Sequence, residues 1–307
     1  MRLFLTLLLW GPVCLVLGQC PWSRDSQLIE LQSSCICNTS QNEGFNAISV
    51  QCQAVNNFPM LMSALRSYTS DTILENLYIS NTTIGSLTDF LFKNLKIISL
   101  HMNNCNIITV SDESFRGLEN TLQSLSLASN GLRSVPVGAL RPLRLLSQLD
   151  LSSNYIKFVP DNAFVTVRLK TLKLAENNIT MSENSLRGLE TSLKNLNLKG
   201  CQLKEIPVAV RDLQGLVFLD LAQNNLRIIE PGALKRLNSL TALNLERNVI
   251  QKLHKDVFEG VTDTLSSLSL LTNLLTEFPL EAIRSLTELR VSNQNLFKSA
   301  LMFIKLW

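Results

Sequence analysis

One eleven-residue phrase limits what this chain can fold into more than any other feature. Leu216-Val-Phe-Leu219-Asp-Leu221-Ala-Gln-Asn224-Asn-Leu226 reads L-x-x-L-x-L-x-x-N-x-L, apolar at positions 1, 4, 6 and 11 with asparagine at position 9. Positions 4 and 6 alternate as a half-buried strand requires. The asparagine stands where the chain must turn off that strand. Its amide can both donate to and accept from backbone groups that would otherwise be buried unpaired. A single copy cannot cover its own apolar face, so the phrase needs copies on either side.

The copies are present. Earlier units begin at Leu74, Ile97, Leu122, Leu146, Leu169 and Leu193, and later ones at Leu240, Leu265 and Leu286. Position 9 is Thr82, Cys105, Asn130, Asn154, Asn177, Cys201, Asn224, Asn248, Asn273 and Gln294, at intervals of 21 to 25 residues. A chance alternation of leucines would lose phase after two or three units. Ten residues after position 9 a second apolar mark recurs, as at Phe92, Phe115, Leu140, Phe164, Leu234 and Phe258, and it falls one residue earlier at Leu186 and Val210. These marks should pack behind the strands from short outer segments. The prolines at Val135-Pro136, Val159-Pro160, Ile206-Pro207 and Phe278-Pro279 sit off the ladder at the start of those segments. Burying four or five side chains per unit contributes roughly 1.5–3 kcal/mol each, yet the ordering entropy of a whole unit exceeds what it can offset alone. A charge at Leu219 or Leu221 should therefore weaken neighbouring units as well, whereas Asp220→Ala should leave folding nearly untouched.

These in-phase units, over roughly residues 70 to 297, make the chain resemble a leucine-rich-repeat protein of the extracellular type. The resemblance implies an α/β fold, a right-handed leucine-rich-repeat solenoid of about ten repeats. The parallel sheet would line the concave face, with short helical or irregular connections outside. The opening residues read as a secretory signal peptide over 1–18, a charged Arg2 followed by the apolar run Leu3 to Leu17. No other stretch approaches a membrane span, and the expected localisation is secreted, in the extracellular space or matrix. Residues 19–70 should form a disulfide-bonded cap, 71–297 the repeats, and 298–307 a short apolar tail.

Cys20, Cys35, Cys37 and Cys52 fall within 33 residues and read as two disulfides, with three connectivities open from sequence. The resemblance to the cysteine-bearing cap of extracellular leucine-rich-repeat proteins implies Cys20 with Cys37 and Cys35 with Cys52. Zinc suits this Cys-x-Cys spacing poorly, since no histidine accompanies it. Cys105 and Cys201 occupy position 9 four repeats apart, roughly 19 Å at the strand spacing, which exceeds the limit of about 7 Å for a bridge. They should be buried free thiols. No cysteine follows Cys201, so the cysteine-rich C-terminal cap of many family members is missing. The tail could fold back as a substitute, the edge could meet another chain to form an oligomer, or the sequence could be a shortened form. Asn38, Asn81 and Asn178 open Asn-x-Ser/Thr triplets and are glycosylation candidates, Asn38 foremost because it falls in the cap loop.

No catalytic arrangement, metal site or cofactor motif emerges. Gly-rich phosphate loops, Gly-x-Ser-x-Gly and His-Glu-x-x-His are absent. His101 and His254 are about 150 residues apart and read as solvated. Asp150 and Asp220 lie roughly 14 Å apart at the strand spacing, too far for a glycosidase pair. The formal charge of +3 is too small to argue for nucleic acid or an acidic polymer as partner. Binding can be localised instead. Position 5 points onto the concave wall and includes Asp150, Lys173, Asn197, Asp220 and Asn244. Exposed Phe218 beside Asp220, Asn244, Glu246 and Arg247 has the composition of an interface anchor with a polar rim. The resemblance implies a secreted, non-catalytic scaffold recognising extracellular proteins or glycoproteins, a matrix or cell-adhesion component close to chaoptin-like and other repeat-only proteins of invertebrate matrices. The alternatives are a soluble or truncated receptor ectodomain, or the non-catalytic subunit of a secreted enzyme complex.

Overall fold

The computed structural model describes residues 20–42, 45–69 and 72–289. The expected leader, the tenth position-9 residue Gln294 and the tail over 298–307 lie outside these. The described chain opens with a 3-10 turn over Ser26–Leu28 and helix α1 (Ile29–Ser34). An antiparallel pair follows, β1 (Cys35–Asn42) and β2 (Phe45–Gln53), then helix α2 (Phe58–Thr69). Cys20 is bonded to Cys37 and Cys35 to Cys52, which ties the first residues to both strands. The Tyr68 hydroxyl at the end of α2 donates to Asp25 at 2.9 Å, and Arg66 donates to the Leu91 carbonyl at 2.7 Å, joining this unit to the first repeat. Asn38, expected in a loop, lies exposed on β1, because the Cys35–Cys52 bridge holds that segment as an extended edge strand.

The repeats begin with β3 (Ile73–Ser80), β4 (Ser86–Leu87), β5 (Lys96–Asn103), β6 (Thr109–Val110) and β7 (Ser124–Ser126). Helix α3 (Val137–Leu140) precedes β8 (Gln148–Asp150), β9 (Phe158–Val159), β10 (Thr171–Lys173), β11 (Thr180–Met181) and β12 (Asn195–Asn197). The series closes with β13 (Phe218–Asp220), β14 (Ala242–Asn244), β15 (Ser267–Ser269) and helix α4 (Leu280–Ile283). One 11-stranded sheet runs β1-β2-β3-β5-β7-β8-β10-β12-β13-β14-β15, parallel throughout except for β1. Nine consecutive turns of solenoid, β3 to β15 in that sheet, are thus described. The connections behind the strands are mostly turns, and helix is scarce there.

The repeat phrase explains this geometry. Leu219 and Leu221 are fully buried, and so are their counterparts at every described turn from Leu77 and Ile79 onward. The second apolar mark closes the core from behind: Phe92, Phe115, Phe164 and Phe258 are each fully buried, and the rings of Phe92 and Phe115 stack at 5.8 Å. At position 9 the asparagines are buried, Asn273 only in part, and each binds three segments. Asn248 receives the Leu226 N–H of the preceding turn at 3.0 Å, and donates to Leu221 O at 2.9 Å and to Leu245 O of its own turn at 3.0 Å. Cys201 keeps half of this pattern, its thiol donating to Leu174 O at 3.2 Å but offering no carbonyl to an amide.

One further rule of the repeat concerns position 8. Asn81, Asn104, Ser129, Ser153, Glu176, Gly200, Gln223, Arg247 and Thr272 all have positive φ, from 50 to 70°. The chain leaves each strand through this left-handed residue, which is what turns the next side chain inward. Left-handed backbone costs a non-glycine residue roughly 1–2 kcal/mol, offset by the hydrogen bonds of the following asparagine at the six described turns that have one.

Candidate functional site

The concave face is built from three columns. Along the central one, Tyr78, His101, Ser126, Asp150, Lys173, Asn197, Asp220, Asn244 and Ser269 stand in register across neighbouring strands. Neighbours in such a column are about 4.8 Å apart. Asp150, Lys173, Asn197, Asp220 and Asn244 are therefore contiguous, one per strand from β8 to β14. Phe218 stands one column over, between Asn195 and Ala242. It is half-buried rather than open, because the flanking strands cover its sides. Glu246 and Arg247 come after β14 has ended. Arg247 occupies the left-handed exit of its strand, with its guanidinium 3.3 Å from Glu246, so it marks the rim of the wall.

The polar residues of the central column also have a structural task that the pattern alone did not reveal. Asp150, Asn197, Asp220 and Asn244 each accept the main-chain N–H two residues on, from Ser152, Lys199, Ala222 and Glu246, at 2.9–3.1 Å. Each thereby caps the end of its own strand. The expectation that Asp220→Ala would be silent is corrected on this ground. Ala222 is buried, and its amide would lose its acceptor.

The N-terminal half of the wall holds a cluster of which the sequence singled out only His101, Asp150 and Lys173, as separate residues. The rings of Tyr78 and His101 stack at 4.4 Å. Two strands further on, the Lys173 ammonium lies 3.4 Å from Asp150. Between them Ser126 is small and buried, its hydroxyl donating to Asn103 at 2.7 Å, so the wall dips there into a shallow hollow of about 260 Å³. His101 is consequently not the solvated histidine expected. Burial lowers its pKa below the usual 6.5, with Asp150 pulling the other way and Lys173 adding to the lowering. The hollow offers an aromatic face, hydroxyls and one ion pair, which suits hydrogen bonding and stacking. Among the described residues, no group of three or more His, Cys, Asp or Glu is placed to hold a metal ion.

The other expected positions can be placed as well. Asn81 lies at the left-handed turn after β3 and receives a hydrogen bond from Asn104 at 2.7 Å. Asn178 is exposed on the segment leaving β10. Cys105 and Cys201 are buried free thiols. Burial raises the pKa of both, and that of Cys201 to about 11, which leaves them protonated. Among the described residues no helix is long and apolar enough to cross a membrane.

A parallel-sheet solenoid of 23- to 25-residue turns, sealed by an asparagine ladder, defines the class: a leucine-rich-repeat protein. Residues 120–179, 144–203 and 191–250 each match the leucine rich repeat family. The chain is 35% identical over 178 residues to podocan-like protein 1 of Mus musculus, covering 55% of this chain and 31% of that protein. It is 31% identical over 213 residues to keratocan of Danio rerio, covering 66% and 58%. Chaoptin of Drosophila melanogaster is 32% identical over 208 residues, covering 65% and 16%. The chain thus spans less than two thirds of the length of each of these curated relatives. Among solved structures, the complex of TLR13 with the single-stranded RNA ssRNA13 superposes with a TM-score of 0.66 at 27% identity, covering 74% of this chain and 33% of that one.

Proposed function

We propose that this chain is a secreted, non-catalytic scaffold that docks an extracellular protein or glycoprotein on its concave wall, as a component of matrix or of cell adhesion. The observation that carries this reading is the in-register column from Tyr78 to Ser269, which presents one continuous polar wall over nine turns. Two disulfides at the N-terminal edge fit an oxidising compartment. Wall residues divide into those that hold the strand ends and those free to meet a partner. Phe218, Lys173 and the Tyr78–His101 stack belong to the second group, with Arg247 and Glu246 at the rim.

The test is affinity capture from extracellular matrix extracts with the secreted full chain. Two pairs of substitutions, Phe218→Ala with Arg247→Ala and His101→Ala with Lys173→Ala, sample the two halves of the wall. Loss of captured protein by at least tenfold with either pair is the expected result. Capture unchanged by both would remove the concave wall as the docking surface. The solved relative in complex with single-stranded RNA makes RNA the ligand class to include as a competitor.

A further inference from the structure

We infer that a lateral flank of the solenoid, separate from the concave wall, is a binding site for a linear sulfated polysaccharide. Three residues after position 9, successive turns carry Arg133, Lys157, Thr180, Lys204 and Arg227. This segment is held in register by main-chain bonds from turn to turn: Gly131 N–H to Ile107 O at 2.7 Å, Tyr155 N–H to Leu132 O at 2.8 Å, and Asn225 N–H to Leu203 O at 2.8 Å. The four basic residues therefore form a row along one edge, spread over five successive turns, or roughly 19 Å from end to end at the strand spacing. All four are exposed, and none is in an ion pair among the described residues, whereas Lys252 one residue further along its own turn is bridged to Glu277. The acidic groups nearest in sequence are Glu205, beside Lys204, Glu230, three residues after Arg227, and Asp161, four residues after Lys157, which receives the Ser182 hydroxyl; four bases face these three carboxylates. The row is thus net positive in a chain whose overall charge is only +3.

Beside the bases runs a column suited to sugar rings. Position 10 presents Tyr155, exposed to 69%, and then the amides Asn178, Gln202 and Asn225. Next to Tyr155 the same column has Gly131, where an added Cβ would meet Ile107 O at 3.2 Å and Ile108 Cγ1 at 3.3 Å. The missing side chain opens a hollow of about 450 Å³ between Ile108 and Tyr155, with Arg133 and Lys157 on its border. Point charges at regular intervals match a linear polyanion better than a compact acidic surface. An aromatic face and neutral amides alongside them suit pyranose rings carrying the sulfates. Outside the cell, where the proposed function puts the chain, sulfated polysaccharide is the polyanion of that chemistry.

The experiment measures retention of the secreted full chain on immobilised heparin as salt is raised. Asn178 lies in the middle of the flank, so every protein carries Asn178→Gln to keep an N-glycan off the row. The parent should be retained, and its affinity should fall steeply with salt. Replacing Arg133, Lys157, Lys204 and Arg227 together by alanine should lower affinity at least tenfold with an unchanged Tm. The same charge loss on the outer side, from Arg141, Arg187, Lys255 and Arg284 to alanine, should not. Tyr155→Ala should weaken binding while leaving the salt dependence intact, and fully desulfated heparin should not retain the parent. Failure of the parent to bind, equal loss from the outer quadruple variant, or tighter retention on polyuridylate than on heparin would each overturn the assignment. Phe218→Ala with Arg247→Ala leaves heparin retention unchanged, which separates this site from the wall.

Discussion

At position 9 a single asparagine side chain holds the end of its own strand and two places on the turn before it. Asn248→Ala removes the acceptor of Leu226 N–H and the donor to two buried carbonyls. A buried backbone group left unpaired costs about 1–3 kcal/mol, so the loss should be on the order of 3 kcal/mol in a urea titration. Asp220→Ala removes only the cap on Ala222 N–H, and should cost about 1 kcal/mol in the same titration. His101 gives a pH-dependent counterpart. Its pKa is lowered in the fold, so below 6.5 the unfolded chain takes up a proton that the folded chain refuses. Its contribution is fully present above 6.5 and is lost as pH falls through the lowered value. An imidazole titration followed by NMR should place His101 below 6.5, and His101→Gln should flatten the acid limb of stability. The apolar and asparagine positions were legible in the sequence because they recur by residue type. The left-handed position 8 was not, since only Gly200 of its nine described occupants is glycine. Nor was the capping by Asp150, Asn197, Asp220 and Asn244, because the same residue types serve equally on a solvated sheet face.

Among elements, the edge of the sheet is where the solenoid is most open to loss. β1 and β2 extend the parallel sheet by two strands and turn an unpaired edge into an antiparallel one. The Cys35–Cys52 bridge joins residues that already face each other across that pair, at a sequence separation of 17. In the chain-entropy account, a closed loop of about 15 residues contributes about 3 kcal/mol. Cys35→Ser with Cys52→Ser should therefore lower stability by about that amount, and hydrogen exchange should quicken first in β1 and β2 rather than in β12 to β15. That cysteines and an extended segment lay here was readable from sequence. That the segment would be a strand carrying Asn38 was not, because strand β1 has no repeat partner from which to infer its register. The hollow beside Gly131 was equally hidden, since it depends on which neighbour on the adjacent turn is large.

Across the whole molecule the core is one continuous body of leucine and phenylalanine running from the cap to the last turns. Each turn touches only its neighbours, so damage should spread by adjacency. Leu219→Asp puts a charge at a fully buried position between β12 and β14. Beyond the several kcal/mol of an unpaired buried charge, hydrogen exchange should quicken in β12 and β14 together with β13, while β3 and β5 remain protected. Equal exposure along the whole sheet would mean that the turns unfold as one unit instead. The order and spacing of the turns could be read in advance because the interval is nearly constant. Which part of the surface binds could not, because a wall and a flank with different chemistry are drawn from the same repeat.

Turn length varies from 23 to 25 residues among the described units, yet the residues from Tyr78 to Ser269 remain opposite one another on every strand. The surplus residues are therefore taken up on the outer side. Insertions and deletions there can alter bulk and curvature while the inner surface keeps its alignment, so what the protein touches and how far it bends can change independently.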